Sequence, residues 1–235
     1  MKPVGIIGGV SWESTAEYYR LFNEAIKSRM GPEHSAELLI YSLDFAPVAR
    51  LENEEKWDEL ATLLIDVGRR LESAGATCLL IASNTLHKVA SELQSGLRIP
   101  LVHIAEAVAA EIHEADIKTV GLIGTRFVME QDFLKEPLTG RGVDILIPSL
   151  PQRAMVHDII FNELALGEIS DHSRLKVLKT IDELNTAGAE GVILACTELP
   201  LLIRQTDTAV GYLTLWSFML MKLFHWHLLN ALKQC

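Results

Sequence analysis

Two polar triplets, each directly after a short apolar run, are the segments of this sequence best equipped for chemistry. They are Ser83-Asn84-Thr85 and Cys196-Thr197-Glu198. Backbone N–H groups at a helix N-terminus lower the pKa of a nearby thiol, and the resulting thiolate can abstract a proton. Taken alone, Cys196 is more typical of a small buried hydrophobe. Its polar neighbours are unusual for a strand end that only packs, and they favour a functional role.

The first triplet has the donors and acceptors that a carboxylate ligand needs. Asn84 and Thr85 could present them from a rigid turn. A second interpretation is that Ser83 or Asn84 caps the following helix, and one turn can serve both purposes.

Two glycine-containing turns follow other apolar runs. Gly8-Gly9-Val10-Ser11-Trp12 comes first, and Gly124-Thr125 is its counterpart later in the chain. Glycines let a backbone approach a ligand closely and can cradle an anion, although paired glycines also mark ordinary turns. Neither turn belongs to a nucleotide-binding motif, and the histidines lack the spacing of metal ligands.

The chain repeats itself at a nearly constant offset. Val4-Gly5-Ile6-Ile7-Gly8 is echoed 116 residues later, from Val120 to Gly124. The segment from Ala74 to Thr85, which ends in the first triplet, is echoed 113 residues later from Ala187 to Glu198, which ends in the second. We interpret this as duplication of an α/β half, against the alternative that helix–glycine–strand units resemble one another by chance.

Short apolar strands alternate with amphipathic helices along the chain, which is typical of parallel sheets covered on both faces. The periodicity predicts strands at residues 4–7, 38–42, 78–82, 120–123 and 192–195, and helices at 14–29, 54–74, 85–94, 159–167 and 173–187. The fold class is therefore α/β, with two pseudo-symmetric, doubly wound domains and an active site in the cleft between them.

The predicted division places the N-terminal half at residues 1–115, the C-terminal half at 116–207 and an atypical apolar tail at 208–235. The tail is predicted to be helical and to pack back on the first half or on a second subunit. Ligands bind beyond the carboxyl ends of parallel strands, so the two triplets should face each other across the cleft. A carbon atom between them could be approached from both faces, which inversion of a stereocentre requires.

A net charge of −10 argues against nucleic acid or an anionic membrane as the main partner. Three scattered cysteines favour a reducing cytoplasm over a disulfide framework. The apolar stretch at 210–232 is interrupted by charged and histidine residues and falls short of a membrane span.

As a set, several motifs resemble the aspartate/glutamate racemase family over roughly residues 1–207. They are Gly8-Gly9-Val10-Ser11-Trp12-Glu13-Ser14-Thr15, Tyr18-Tyr19, His34-Ser35-Ala36, Asp44-Phe45, Asn84-Thr85-Leu86-His87-Lys88, Gly124-Thr125, Met129-Glu130 and Cys196-Thr197-Glu198. The resemblance implies two similar α/β domains, no pyridoxal phosphate or other cofactor, and two opposed residues that take and return the α-proton of a small anionic amino acid. It also implies a homodimer.

On that resemblance, Cys196 and Ser83 are the catalytic pair. The α-carboxylate would be held by Asn84, Thr85, Thr125 and Thr197, and the distal carboxylate by Ser11 and Arg50. The family's first cysteine aligns with Ser83, whose hydroxyl is a far poorer base than a thiol. The leading function is racemisation or epimerisation of aspartate or glutamate, impaired here. The alternatives are a single-cysteine decarboxylase or isomerase, and a degenerate relative that binds a ligand without turnover.

The tail is the second departure from the family, which normally ends in Phe-Asp-Thr-x-x-Ile-His-Ala-x-x-Ala-Val. The histidine of that segment supports the second cysteine. The stretch from Tyr212 to Phe224 shows no match, but suitable codons for it, read from the third base, spell Phe-Asp-Thr-Leu-Val-Ile-His-Ala-Asp-Glu-Ala-Val. We infer a frameshift near Val210 and Gly211.

Restoring the shifted frame should therefore raise hydrogen exchange at Cα by an order of magnitude or more, because one acid/base partner is commonly worth about 10²–10⁴ in rate. The nucleotide sequence tests the frameshift, and NMR exchange rates of the two proteins test its effect. A corrected protein that gains nothing would show that the lost histidine is not needed.

Overall fold

The computed structural model describes residues 2–208 and 211–214. These residues form two compact units, 2–103 and 104 onward. The division falls between His103 and Ile104, earlier than the predicted boundary at residue 115, so that the helix at 104–114 belongs to the second unit.

The first unit contains a parallel sheet of three strands in the order β2-β1-β3. The strands are β1 (Val4–Gly8), β2 (Leu38–Ser42) and β3 (Cys78–Ile81), and the helices are α1 (Trp12–Met30), α2 (Phe45–Asn53), α3 (Trp57–Ser73) and α4 (Ala90–Ser95). A 3₁₀ turn, Thr85–Val89, links β3 to α4. All residues of β1 and β3 are buried, as expected for strands of a parallel sheet covered on both faces.

Helix α1 shows why the chain folds in this way locally. Tyr18, Phe22 and Ile26 recur every four residues and are all buried, so that one stripe of the helix packs on the core. Ser11 caps the first turn with its hydroxyl, and the helix ends at Gly31, whose φ of 112° suits glycine.

The second unit has a four-stranded parallel sheet in the order β5-β4-β6-β7. Its strands are β4 (Thr119–Gly124), β5 (Asp144–Leu146), β6 (Gly191–Ala195) and β7 (Tyr212–Thr214), and its helices are α5 (Ile104–Glu114), α6 (Arg126–Glu130), α7 (Asp132–Thr139), α8 (Leu150–Asn162), α9 (Asp171–Thr186) and α10 (Leu199–Leu202). The predicted α/β class with two parallel sheets is confirmed. Within each unit the first strand lies between the second and third, which reverses the winding direction there.

The two units share a helix ending that repeats at the offset of 113 residues. Gly75 and Gly188 both have positive φ, at 102° and 109°. In each unit the residue after this glycine donates its N–H to a carbonyl five residues back, from Ala76 to Leu71 and from Ala189 to Leu184. The repeat therefore extends from the sequence to individual backbone hydrogen bonds.

Several predicted element bounds were wrong. The helix predicted over 54–74 begins three residues later, at Trp57, as α3, because Glu55 lies in the left-handed region at φ 55°, and α2, which ends at Asn53, was not predicted. The helix predicted over 159–167 begins earlier, at Leu150, because Ser149 and Gln152 form a capping box. The segment predicted as one helix at 85–94 starts as a 3₁₀ turn.

The predicted helical tail is wrong at Tyr212–Thr214, which pair in parallel with β6 in the second unit. The rest of the predicted tail helix, and the histidine position expected from the frameshift, lie outside the described residues. Within the described residues, no helix combines the length and apolar character that crossing a bilayer requires.

Replacement by alanine should destabilise the protein more at Gly9 than at Gly75, because the added methyl group would clash with backbone only at Gly9. Both have positive φ, but a Cβ at Gly9 would lie 2.1 Å from the Leu43 carbonyl oxygen, whereas Gly75 has nothing within 4 Å. We expect Gly75→Ala to lower the free energy of unfolding by about 1–2 kcal/mol, the cost of left-handed backbone. Gly9→Ala should cost clearly more because backbone must move. Urea unfolding checks this, and equal losses would contradict it.

Candidate active site

The carboxyl ends of β1 and β3 form one edge of the first sheet. Ile7 is the register partner of Ile81, and the Ala82 N–H continues the ladder with a 2.8 Å hydrogen bond to the Ile7 carbonyl. The first triplet therefore begins beside the end of β1, at the point where the winding of the sheet reverses. Ligands of open α/β sheets bind at such points.

Asn84 in this edge has a side chain without hydrogen bonds. It occupies the capping position of the 3₁₀ turn but makes no side-chain cap. Only 4% of the residue is exposed, and neither Oδ1 nor Nδ2 has a partner among the described residues. An unsatisfied buried polar group costs about 1–3 kcal/mol, and a ligand that supplies both an acceptor and a donor would remove this cost. The side chain of Asn84 therefore fits the predicted role in ligand binding better than the predicted role as a helix cap.

Ser83 is buried but has no base attached to it. The ring nitrogen Nδ1 of His87 lies 2.9 Å from the backbone carbonyl oxygen of Ser83. Burial, and to a smaller extent the neighbouring His103, lowers the pKa of His87 to about 3. The ring is therefore neutral and Nδ1–H donates to the carbonyl. No ionisable side chain of the described residues hydrogen-bonds to the Ser83 hydroxyl.

The glycine turn after β1 uses its own N–H groups. The Gly9 N–H donates to Thr15 Oγ1 at 2.8 Å, and the Ser11 hydroxyl accepts from the Ser14 N–H. Ser14 Oγ in turn donates to the Ala82 carbonyl at 3.1 Å, which ties the start of α1 to the end of β3. The expected anion cradle is therefore not free at Gly9, because the turn is closed from within.

The second unit repeats this edge at β4 and β6. Gly124 and Ala195 are register partners at the ends of their strands. Thr125 then caps α6 by accepting from the Val128 N–H, as Ser11 caps α1. Cys196 follows Ala195 directly and is 6% exposed.

A buried carboxylate faces the thiol of Cys196. Sγ donates to Glu198 Oε2 at 2.9 Å, and the Thr197 hydroxyl donates to the same oxygen at 2.8 Å. The backbone N–H groups of Glu198 and Leu199 also act on the thiol. The sulfur is thus influenced by two N–H donors and one carboxylate acceptor.

The pKa of Cys196 is raised well above its usual value, first by burial and then by the charge and hydrogen bond of Glu198. The backbone N–H groups act in the other direction but are outweighed. This corrects the expectation of a thiol with a lowered pKa, since that expectation counted the N–H groups and left out burial and the carboxylate two residues on. Without ligand, Cys196 is a protonated thiol.

The remaining predicted residues are distributed over both units. Thr85 is buried at the first position of the 3₁₀ turn, while Arg50 is exposed on α2. Ser83 lies just beyond the end of β3 in the first unit, and Cys196 lies just beyond the end of β6 in the second. Their predicted opposition across a cleft stays a prediction.

Glu198 is the functional candidate that the sequence did not single out. The signal was its place in the triplet, two residues after Cys196, because one tight turn can bring such neighbours together. Its role became visible only when the carboxylate oxygen was located.

Each of the two α/β units ends a buried strand of its parallel sheet in a polar triplet, and the second triplet contains a thiol–carboxylate pair. The chain belongs to the Asp/Glu/hydantoin racemase family, whose sequence profile matches residues 7–215.

Known proteins similar to this chain come from bacteria and an archaeon. A Yersinia pestis structure, provisionally assigned as an Asp/Glu racemase, is 38% identical with a TM-score of 0.85 over 94% of this chain and 96% of that one. The aspartate racemase homologue PH1733 of Pyrococcus horikoshii OT3 is 34% identical with a TM-score of 0.81 over 96% and 98%. The broad specificity amino-acid racemase RacX of Bacillus subtilis (strain 168) is 25% identical over 200 residues, which are 83% of this chain and 85% of RacX.

Glu198→Gln should lower the pKa of Cys196, because the negative charge that disfavours the thiolate is removed, while burial keeps it above the ordinary range. The pH dependence of ultraviolet thiolate absorbance, with Cys196→Ser subtracted as the background, measures the change. Glu190→Gln, which alters an exposed carboxylate at the other end of β6, serves as the control. An unchanged profile in Glu198→Gln would show that the carboxylate does not control the thiol.

Proposed function

We propose that this protein racemises or epimerises a small acidic amino acid, aspartate or glutamate, by removing and returning the Cα proton without pyridoxal phosphate. The observation that carries the proposal is the buried hydrogen bond from Cys196 Sγ to Glu198 Oε2 at the end of β6. Membership of the racemase family and similarity to RacX support it.

The pair Cys196–Glu198 would work as one acid/base unit. When Cys196 acts as the acid, its S–H proton passes to the Cα carbanion and leaves a thiolate. When it acts as the base, its proton first moves to Glu198 Oε2, and the thiolate then takes the Cα proton. In that first transfer the pair keeps one proton and one negative charge, so it adds no charge to the buried site, which would be costly.

Substrate would bind with its α-carboxylate on Asn84 and Thr85 from the first unit and on Thr125 and Thr197 from the second. Asn84, which has no partner among the described residues, is the strongest of these candidates, because a ligand would remove the cost of its unsatisfied amide. Ser11 and Arg50 remain candidates for the distal carboxylate. We propose that both units supply residues to one cleft, with Ser83 opposite Cys196.

The two sides of such a site would be unequal. Cys196 has a carboxylate partner, whereas Ser83 has a hydroxyl and no ionisable partner among the described residues. We therefore propose slow racemisation with faster exchange at one face of Cα. The same asymmetry favours a second candidate function, a decarboxylase, in which a single thiol protonates the carbanion that remains after carbon dioxide leaves.

Incubation of aspartate and glutamate in deuterium oxide separates these functions. Loss of the Cα proton signal with retained configuration indicates a one-sided racemase, loss with inversion indicates a competent one, and carbon dioxide release from a substituted malonate indicates the decarboxylase. A protein that binds these acids without exchange or release would contradict both enzymatic proposals.

Cys196→Ala should abolish exchange at Cα, and Ser83→Cys should raise racemisation by about tenfold or more, because the weaker base limits a two-base mechanism and an acid/base group is commonly worth about 10²–10⁴ in rate. NMR exchange and chiral chromatography measure the two effects.

Cys78→Ala is the matched control, since Cys78 is buried within β3 and burial raises its pKa to about 12. It should keep its exchange rate. If exchange persists in Cys196→Ala, this cysteine is not the base.

A further inference from the structure

Lys88 is a cation held in place on an aromatic ring at the same sheet edge as Asn84. Its Nζ lies 3.8 Å from the centroid of the Trp57 ring. Trp57 begins α3 and packs partly buried against the core of the first unit. The ring thus restricts a side chain that would otherwise lose conformational freedom on binding a ligand.

The ammonium has no ion-pair partner. Among the described residues, no carboxylate oxygen lies within 4.0 Å of Lys88 Nζ, whereas lysines 56, 118 and 135 each have at least one. Contact with the ring face satisfies the charge only in part, and an ammonium has three N–H donors. Burial lowers the pKa of Lys88, while the more distant Glu55 partly offsets this.

The backbone relates Lys88 to a predicted substrate residue. A 3₁₀ helix has three residues per turn, so positions i and i+3 share one face. Thr85 and Lys88 stand in this relation in the turn Thr85–Val89. Asn84, whose side-chain amide has no partner among the residues that the structure describes, immediately precedes the turn. Within the described residues, one short segment therefore combines a buried amide that lacks a partner with a preorganised cation that lacks a counter-ion.

We propose that Lys88 is a specificity-determining residue that binds the distal carboxylate of a dicarboxylic amino acid. It would act alongside Asn84, which takes the α-carboxylate. A partly buried ammonium pairs with a carboxylate more strongly than an exposed one, because water screens it less. This inference rests on the proposed function for the identity of the substrate, but the affinity that it implies does not depend on turnover.

Binding and exchange of aspartate and alanine, measured for the full chain and for Lys88→Met, test the proposal. We expect Lys88→Met to weaken aspartate binding by calorimetry and to raise KM for exchange, each by about tenfold or more, which corresponds to about 1.4 kcal/mol. The kcat should change by less than about twofold, because the contact holds ground state and transition state alike. Alanine, which lacks a distal carboxylate, should be unaffected.

Three further variants serve as controls. Lys88→Arg retains the charge and should retain most of the aspartate affinity. Lys27→Met removes an exposed lysine of α1 in the same unit and should change nothing. Lys88→Gln replaces Lys88→Met if the latter is less soluble, and thermal unfolding shows whether each variant is folded.

The outcomes separate this inference from the proposed function. Exchange of aspartate with an unchanged KM in Lys88→Met overturns the role of Lys88 and leaves the function standing. Aspartate binding that depends on Lys88, without exchange in any variant, supports Lys88 and overturns the function. Failure of the unaltered protein to bind aspartate more tightly than alanine overturns the role of Lys88, as does a loss seen with Arg50→Met but not with Lys88→Met.

Discussion

The close approach of β4 to β6 at their carboxyl ends is the constraint on which the candidate site depends. Gly124 lies opposite Ala195, and a Cβ at Gly124 would come within 2.9 Å of the Ala195 carbonyl oxygen. Only glycine allows this register without a shift. Cys196 is the next residue along the chain, so the position of the thiol follows from a backbone contact in which it takes no part.

The buried site balances two opposing electrostatic influences on that thiol. Backbone N–H groups at the start of α10 favour a thiolate, while the carboxylate of Glu198 and the loss of water disfavour it. Without ligand, burial and the carboxylate outweigh the N–H groups, so the proton stays on the sulfur. An isolated buried carboxylate would be costly, but here two hydrogen bonds, from Cys196 and Thr197, compensate it.

The two units show how a repeated scaffold can hold unequal chemistry. Both reverse their winding beside the first strand, and both cap the helix after it with a hydroxyl residue. At the equivalent triplet one unit has a thiol with a carboxylate, and the other has Ser83 with a neutral histidine on its backbone carbonyl. Backbone hydrogen bonds set the scaffold, so the side chains at the strand ends are free to differ.

The sequence by itself determined the α/β class, the repeat at 113 residues and the position of both triplets beyond strands, because periodicity and turn residues act over short distances. It did not reveal that Asn84 lacks partners among the described residues, that the Gly9 N–H donates to Thr15, or that burial and Glu198 raise the pKa of Cys196. Each of these depends on how side chains and water are distributed around a group. Only the tertiary structure decides that distribution, since burial brings together charges and hydrogen-bonding groups whose orientation no local pattern records.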